Sequence, residues 1–191
     1  MPRGGYCHHG GMPYGVVLLP DRRVHDRLAA LAAAIGGSEP ISLLGPRAPA
    51  HVSVVHFTGD AGQAAQVGTW MARRPHQSMP VTIIGLLYAV VAAGDYYVPQ
   101  GGVYFGLEVV RRPDLDALHR EALGWVRQAG AAPLGAAGAD FRPHLTLGIS
   151  RARPALPSLG DVPVGDLDLT LACGELGPYG TFPGLAARLP A

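Results

Sequence analysis

Two short segments of this 191-residue chain carry side chains that could act together on one reacting group. They are Pro49-Ala50-His51-Val52-Ser53-Val54 and Arg142-Pro143-His144-Leu145-Thr146-Leu147. In each, an imidazole and a hydroxyl stand two residues apart among aliphatic neighbours. On an extended strand, residues i and i+2 point to the same face. Each segment therefore presents His plus Ser or Thr on one side and aliphatic side chains on the other. Two polar side chains on one face need water or a ligand to satisfy them. Histidine titrates near neutrality, so one neutral ring could serve as general base while a second, protonated ring serves as general acid. Hydroxyl donors from Ser53 and Thr146 could hold the non-bridging oxygens of a phosphate. Imidazolium and hydroxyl groups can stabilise the added charge without a metal. One such triplet means little. Two, each opening an apolar strand and separated by about half the chain, are much less easily accidental.

The elements that must position these residues repeat in outline. Tyr14–Leu19 (YGVVLL) is a short apolar strand ended by Pro20. Asp21 stands at an N-cap position, Val24, Leu28, Leu31 and Ile35 recur at helical spacing, and Gly36-Gly37 closes the helix. After a Pro- and Gly-containing loop comes the strand His51–Phe57 (HVSVVHF), then a turn at Thr58-Gly59-Asp60 and a helix over 62–73. Val81–Val91 is a long apolar strand. The second half repeats the scheme with a strand over Val103–Val110, a helix from Asp114 to near Gly130, a Gly/Ala/Pro loop and the strand His144–Ile149 (HLTLGI). Leu167–Leu171 and Gly174–Leu176 supply a terminal strand. Strands alternating with helices indicate an α/β or split α+β architecture. No linker separates the halves, so residues 1–191 are expected to form a single two-lobed domain with residues 1–12 as a loose leader.

Composition narrows the function classes. Hydrophobic residues make up 48% and charged residues 15%. The apolar runs are broken well before membrane-spanning length, and the N-terminus lacks a signal-peptide pattern. A soluble cytoplasmic protein, expected to be monomeric, follows. Net charge is +1, which argues against a clamp for long nucleic acid. A small anion or an RNA end remains open. All 15 residues of the Lys/Arg type are arginines, so such a cation touching phosphate would be able to engage it bidentately. Cys7 and Cys173 make no disulfide framework. Gly101-Gly102 and Gly135–Gly138 do not fit a phosphate-cradling loop ahead of a helix.

The two triplets with their apolar neighbours resemble the signature of the 2H phosphoesterase superfamily, which includes 2′-5′ RNA ligase-like proteins and RNA 2′,3′-cyclic phosphodiesterases. The run Phe141-Arg142-Pro143-His144 also looks like the lead-in of many members. The resemblance implies an α+β fold of two pseudo-symmetric lobes, antiparallel sheets around a central cleft and helices outside. It implies acid and base roles for His51 and His144 and phosphate binding by Ser53 and Thr146, with no cofactor and no metal. Two departures stand out. The first triplet has Ser where Thr is commoner. An aromatic-then-glycine pair frequent in that strand comes one residue late, as Phe57 and Gly59, with His56 inserted.

The expected activity is hydrolysis of a cyclic phosphate or a 2′-5′-type phosphodiester in a nucleotide or RNA end, ligation being its reverse. The alternatives are a module that binds such a ligand without turnover and, further off, a plain structural domain. Arg142, Phe57, Tyr14, Tyr104 and Tyr179 are candidates for substrate contact, the aromatics as stacking platforms, with packing the more expected role for Phe57, Tyr14 and Tyr104. On a regular strand His56 faces away from His51, which assigns it to core or surface. His25, His76 and His119 are expected on solvated helix faces. Cys7, His8 and His9 adjoin one another but lack further ligands at useful spacing.

Overall fold

Asp21 accepts a hydrogen bond from the Val24 amide at 2.7 Å, and with that cap the first helical stripe becomes a real helix. The computed structural model describes residues 11–190. Its elements are β1 (Met12–Leu19), α1 (Arg22–Ile35), β2 (Pro40–Leu43), β3 (Val52–Gly59), α2 (Ala61–Ala72), β4 (Ser78–Val91), β5 (Gly102–Val109), α3 (Pro113–Gln128), β6 (Ala132–Leu134), β7 (His144–Ser150) and β8 (Gly165–Glu175). Asp60 and Gln63 form a reciprocal capping box at α2, and Pro113 occupies the first turn of α3. The architecture is α+β. Two segments expected as loops hold short strands, β2 and β6. Both pair at sheet edges among Pro and Gly residues, which hides so short a pattern. The terminal strand runs unbroken through the expected segments as β8.

Every strand pairing is antiparallel, in the order β2-β7-β5-β4-β8-β1-β3-β6. β4 joins the halves of the sheet. Its first part, Ser78–Ile83, pairs with β8, and its second part pairs with β5 after a register shift between Ile83 and Gly85. Gly85 has φ of 155°, a value that favours glycine. The two halves meet again on the far side, where Val52 of β3 bridges Leu145 of β7.

The helices are exchanged between halves. α1, from the first, packs on β7 and β2, while α3, from the second, packs on β3 and β6. One core results, in which Leu28, Leu31 and Ile35 of α1 and Leu115, Leu118 and Val126 of α3 join Val52, Val54, Leu145 and Leu147. The opposite face of β1 is covered by the C-terminal segment, where Val17 and Leu19 meet Phe182, Leu185 and Leu189. Among the described residues no helix is long and apolar enough to cross a membrane. Cys7, His8 and His9 lie outside the described residues. Cys173 is half-buried, and burial pushes its thiol up to about 11.

His25 and His119 do not lie on solvated faces. Both are buried, at 4% and 0% exposure, and each ties a helix to β3 or the residues that lead into it. His25 Nδ1 accepts from the Ala50 amide at 3.1 Å. His119 Nδ1–H donates to the Val54 carbonyl at 2.7 Å, and its Nε2 accepts from the Gly138 amide at 2.8 Å. The His119 ring also stacks on Phe141 with centroids 3.9 Å apart. The signal was in the sequence: His119 is in phase with Leu115, Ala122 and Val126 on the buried stripe. His76 is exposed, as expected. Replacing His119 by Ala strands a buried carbonyl and a half-buried amide. His119→Ala is expected to lower stability by about 2–4 kcal/mol, and His76→Ala by less than about 0.5 kcal/mol, both read from urea unfolding.

Candidate active site

His51 and His144 are anchored identically. His51 Nδ1–H donates to the Pro49 carbonyl at 2.8 Å, and His144 Nδ1–H donates to the Arg142 carbonyl at 2.8 Å. A carbonyl can only accept, so both rings carry their proton on Nδ1 when neutral, and Nε2 is the basic nitrogen. The Val52–Leu145 bridge sets the two triplets side by side and antiparallel. Extended one residue each way, that register puts His51 across from Thr146 and Ser53 across from His144. Val52 and Leu145 are fully buried on the helix side, so the imidazoles and hydroxyls share the other face.

Each strand then carries a bulge directly after its hydroxyl residue. In β3, Val16 pairs with Val55 and Val17 with Ser53, which leaves Val54 unmatched. In β7, Phe105 pairs with Gly148 and Gly106 with Thr146, which leaves Leu147 unmatched. Gly106 is required there, because a Cβ would strike the Leu145 carbonyl. A bulge reverses the facing of the residues that follow it. The expectation for His56 is thereby overturned. The inserted residue turns His56 into the site, and Ile149 takes the equivalent place in β7.

These residues line a cavity of about 290 Å³. His51, Ser53, His144, Thr146, Arg142, Tyr104 and Tyr179 all border it. Tyr14 and Phe57 do not contribute to its wall. They stack on one another, centroids 5.7 Å apart, within the core, because Phe57 follows the bulge onto the helix side. Thr146 Oγ1 lies 3.3 Å from the Tyr104 hydroxyl. Arg142 stands largely exposed at the rim, 3.6 Å from Glu108. Tyr179 has φ of 59°, a left-handed conformation uncommon for a side chain of its size, in the turn that also brings Phe182 edge-on to His51 at 4.9 Å. His56 and Tyr97 are among the lining residues that escaped the sequence reading. Tyr97 sits in the β4–β5 loop, held by Asp95, whose carboxylate accepts from the amides of Tyr97 and Val98 at 2.8 and 3.0 Å. Nothing in its local sequence marks it. Among the described residues no group of three or more His, Cys, Asp or Glu is placed to hold a metal ion.

Burial sets the electrostatics. It pushes His51 down to about 4, against the Pro49 carbonyl and with help from the neighbouring His144. Burial, with His51 and His144 adding to it, pushes His56 down to about 3. His144 is lowered by burial and by Arg142, against its bond to the Arg142 carbonyl. All three rings are thus neutral in the free protein near pH 7. Between the depressed folded values and the ordinary value near 6.5, the unfolded chain binds more protons than the native one. Stability is therefore full above about pH 6.5 and is lost as pH falls toward 4. The expected slope is up to about 1.4 kcal/mol per pH unit for each buried ring. Urea unfolding between pH 7 and pH 4 measures it, and His56→Gln should flatten it.

No protein-family model matches the chain, and no curated protein matches it in sequence. Solved structures do. A phosphoesterase crystal structure is 10% identical, with 86% of this chain and 88% of that one covered, at a TM-score of 0.52. LigT of E. coli in complex with 3′-AMP is 13% identical, with 86% and 88% covered, at a TM-score of 0.54. At such identities the likeness is one of backbone architecture. Taken with the paired triplets at the seam of the sheet, it places the chain in the 2H phosphoesterase fold.

Proposed function

We propose that the chain is a phosphodiesterase that hydrolyses a cyclic phosphate or a 2′-5′-type phosphodiester of a nucleotide or RNA end, using two histidines and no metal. The observation that carries this reading is the matched anchoring of His51 and His144 on adjacent strands, each beside a hydroxyl, in one cavity. The 3′-AMP bound by the similar LigT supports a nucleotide as the ligand. The same reading keeps the chain as a cytoplasmic monomer, with a nucleotide or RNA terminus as its partner.

His51, the more deeply buried ring, is the general base, since it stays neutral down to about 4. His144 is the general acid. An anionic phosphate beside it favours the imidazolium form, so the proton is taken up with the substrate. Water attacks phosphorus and gives its proton to His51 Nε2. The bond from phosphorus to the leaving oxygen breaks, and His144 gives that oxygen its proton. Ser53 and Thr146 donate to the non-bridging oxygens, where charge builds in the transition state. Arg142 steadies the phosphate from the rim.

His51→Ala and His144→Ala should each reduce kcat about 10²–10⁴-fold on a panel of 2′,3′-cyclic nucleotides and 2′-5′ dinucleotides, with melting temperatures near the parent's. Full turnover by either variant defeats the mechanism. Tight binding across the panel with no product from the parent protein would favour the non-catalytic binding module instead. Turnover should survive EDTA. Because both rings titrate below the ordinary histidine value, kcat/KM should rise as pH is lowered from 8 toward 5. It should fall again near pH 4, where His51 takes up its own proton.

A further inference from the structure

His56 has no part in the acid/base scheme, yet both its ring nitrogens are engaged at the cavity wall. Nδ1 lies 2.7 Å from the Tyr97 hydroxyl and Nε2 lies 2.9 Å from Ser53 Oγ. The second half of the chain is an internal control. There the equivalent position is Ile149, two residues past the matching bulge and also on the cavity wall. Packing alone therefore does not call for an imidazole. The hydroxyl residues differ in step. Thr146 is β-branched and its χ1 is restricted, whereas Ser53 has no γ-methyl and rotates more freely. The half with serine is the half with histidine.

We propose that Tyr97 and His56 are positioning residues that lock the Ser53 hydroxyl as a hydrogen-bond donor into the cavity, toward the phosphoryl oxygen of the substrate. The phosphate in this statement rests on the proposed function; the proton order does not. A neutral imidazole has one donor and one acceptor nitrogen. A phenol is a stronger donor than an imidazole N–H, and an alcohol oxygen is a better acceptor than a phenol oxygen. Both preferences are met by one order: Tyr97 O–H donates to Nδ1, and Nε2–H donates to Ser53 Oγ. The Ser53 proton is then left free to point at a ligand. Each bond polarises the next, which makes that last hydroxyl a better donor. Asp95 holds the Tyr97 backbone, and Phe182 packs on the His56 ring at 5.6 Å, so both members are fixed before any ligand arrives. His56 then carries the opposite tautomer to His51 and His144.

Long-range ¹H–¹⁵N correlation spectra of the imidazoles at pH 7, on the unmodified protein, read this order directly. The expected result is Nε2–H for His56 beside Nδ1–H for His51 and His144. Nδ1–H at His56 would mean that Ser53 spends its proton on the ring, and would overturn the proposal. Tyr97→Phe should leave His56 as a mixture of tautomers and weaken inorganic phosphate binding several-fold. His56→Ile should lower both phosphate affinity and kcat about tenfold, and adding Ser53→Thr, which copies the second half of the chain, should recover most of the loss. Recovery distinguishes positioning from a folding defect, and an unchanged His56→Ile would overturn the proposal. If the unmodified protein turns over none of the panel, the proposed function fails, while the tautomers and the phosphate titration still decide this one.

Discussion

A single antiparallel bridge between Val52 and Leu145 is the contact to which every polar group of the cavity is referred. It joins the two halves of a sheet that β4 joins on the other side. It does so at the middle residue of both triplets. An aliphatic pair there faces the helices, so the residues on either side must face away. Two imidazoles and two hydroxyls are thereby set on one surface without any long-range adjustment of side chains. Exchange of α1 and α3 between the halves makes separation of that seam costly, since each helix would lose the strand it covers.

The bridge alone would give two regular strands. The bulges at Val54 and Leu147 end the alternation just past each hydroxyl and decide what else enters the cavity. The Val54 bulge is secured from outside by the His119 bond to its carbonyl, and the residue before His51 is held by His25. A buried carbonyl or amide needs a partner wherever the ladder is interrupted, and two helix histidines supply it. Among the described residues no buried side-chain nitrogen or oxygen is left without a hydrogen bond, so these polar insertions into an apolar core are satisfied.

The two halves are alike in backbone and unlike in chemistry. One presents Ser53 with His56 and Tyr97; the other presents Thr146 with Tyr104 and Ile149. His51 lies under Phe182 and the Gly177–Thr181 turn, while His144 lies nearer the rim beside Arg142. Burial differs accordingly, and with it the readiness of each ring to take a proton. A pseudo-symmetric frame thus holds a pair of imidazoles in unlike surroundings.

By itself the sequence settled what local periodicity and spacing can settle. The capped helix from Asp21, the helix over 62–73, the apolar strands, and the pairing of His51 with Ser53 and of His144 with Thr146 all follow from residue type at fixed intervals. The short edge strands β2 and β6 were too brief to show a period. His25 and His119 lay on the apolar stripes of their helices, but polar character alone suggested a solvated face; only packing revealed the carbonyl and the amides they serve. His56 was sent to the wrong side for one reason. Strand facing is a parity, and a single unmatched residue inverts it for everything downstream. Whether Val54 would be that residue depended on β1 across the sheet and on α3 behind it, neither of which is encoded within β3. Tyr97 reached His56 only because the β4–β5 hairpin folds back across the sheet. Such meetings belong to tertiary structure, since they join residues whose separation along the chain carries no period to read.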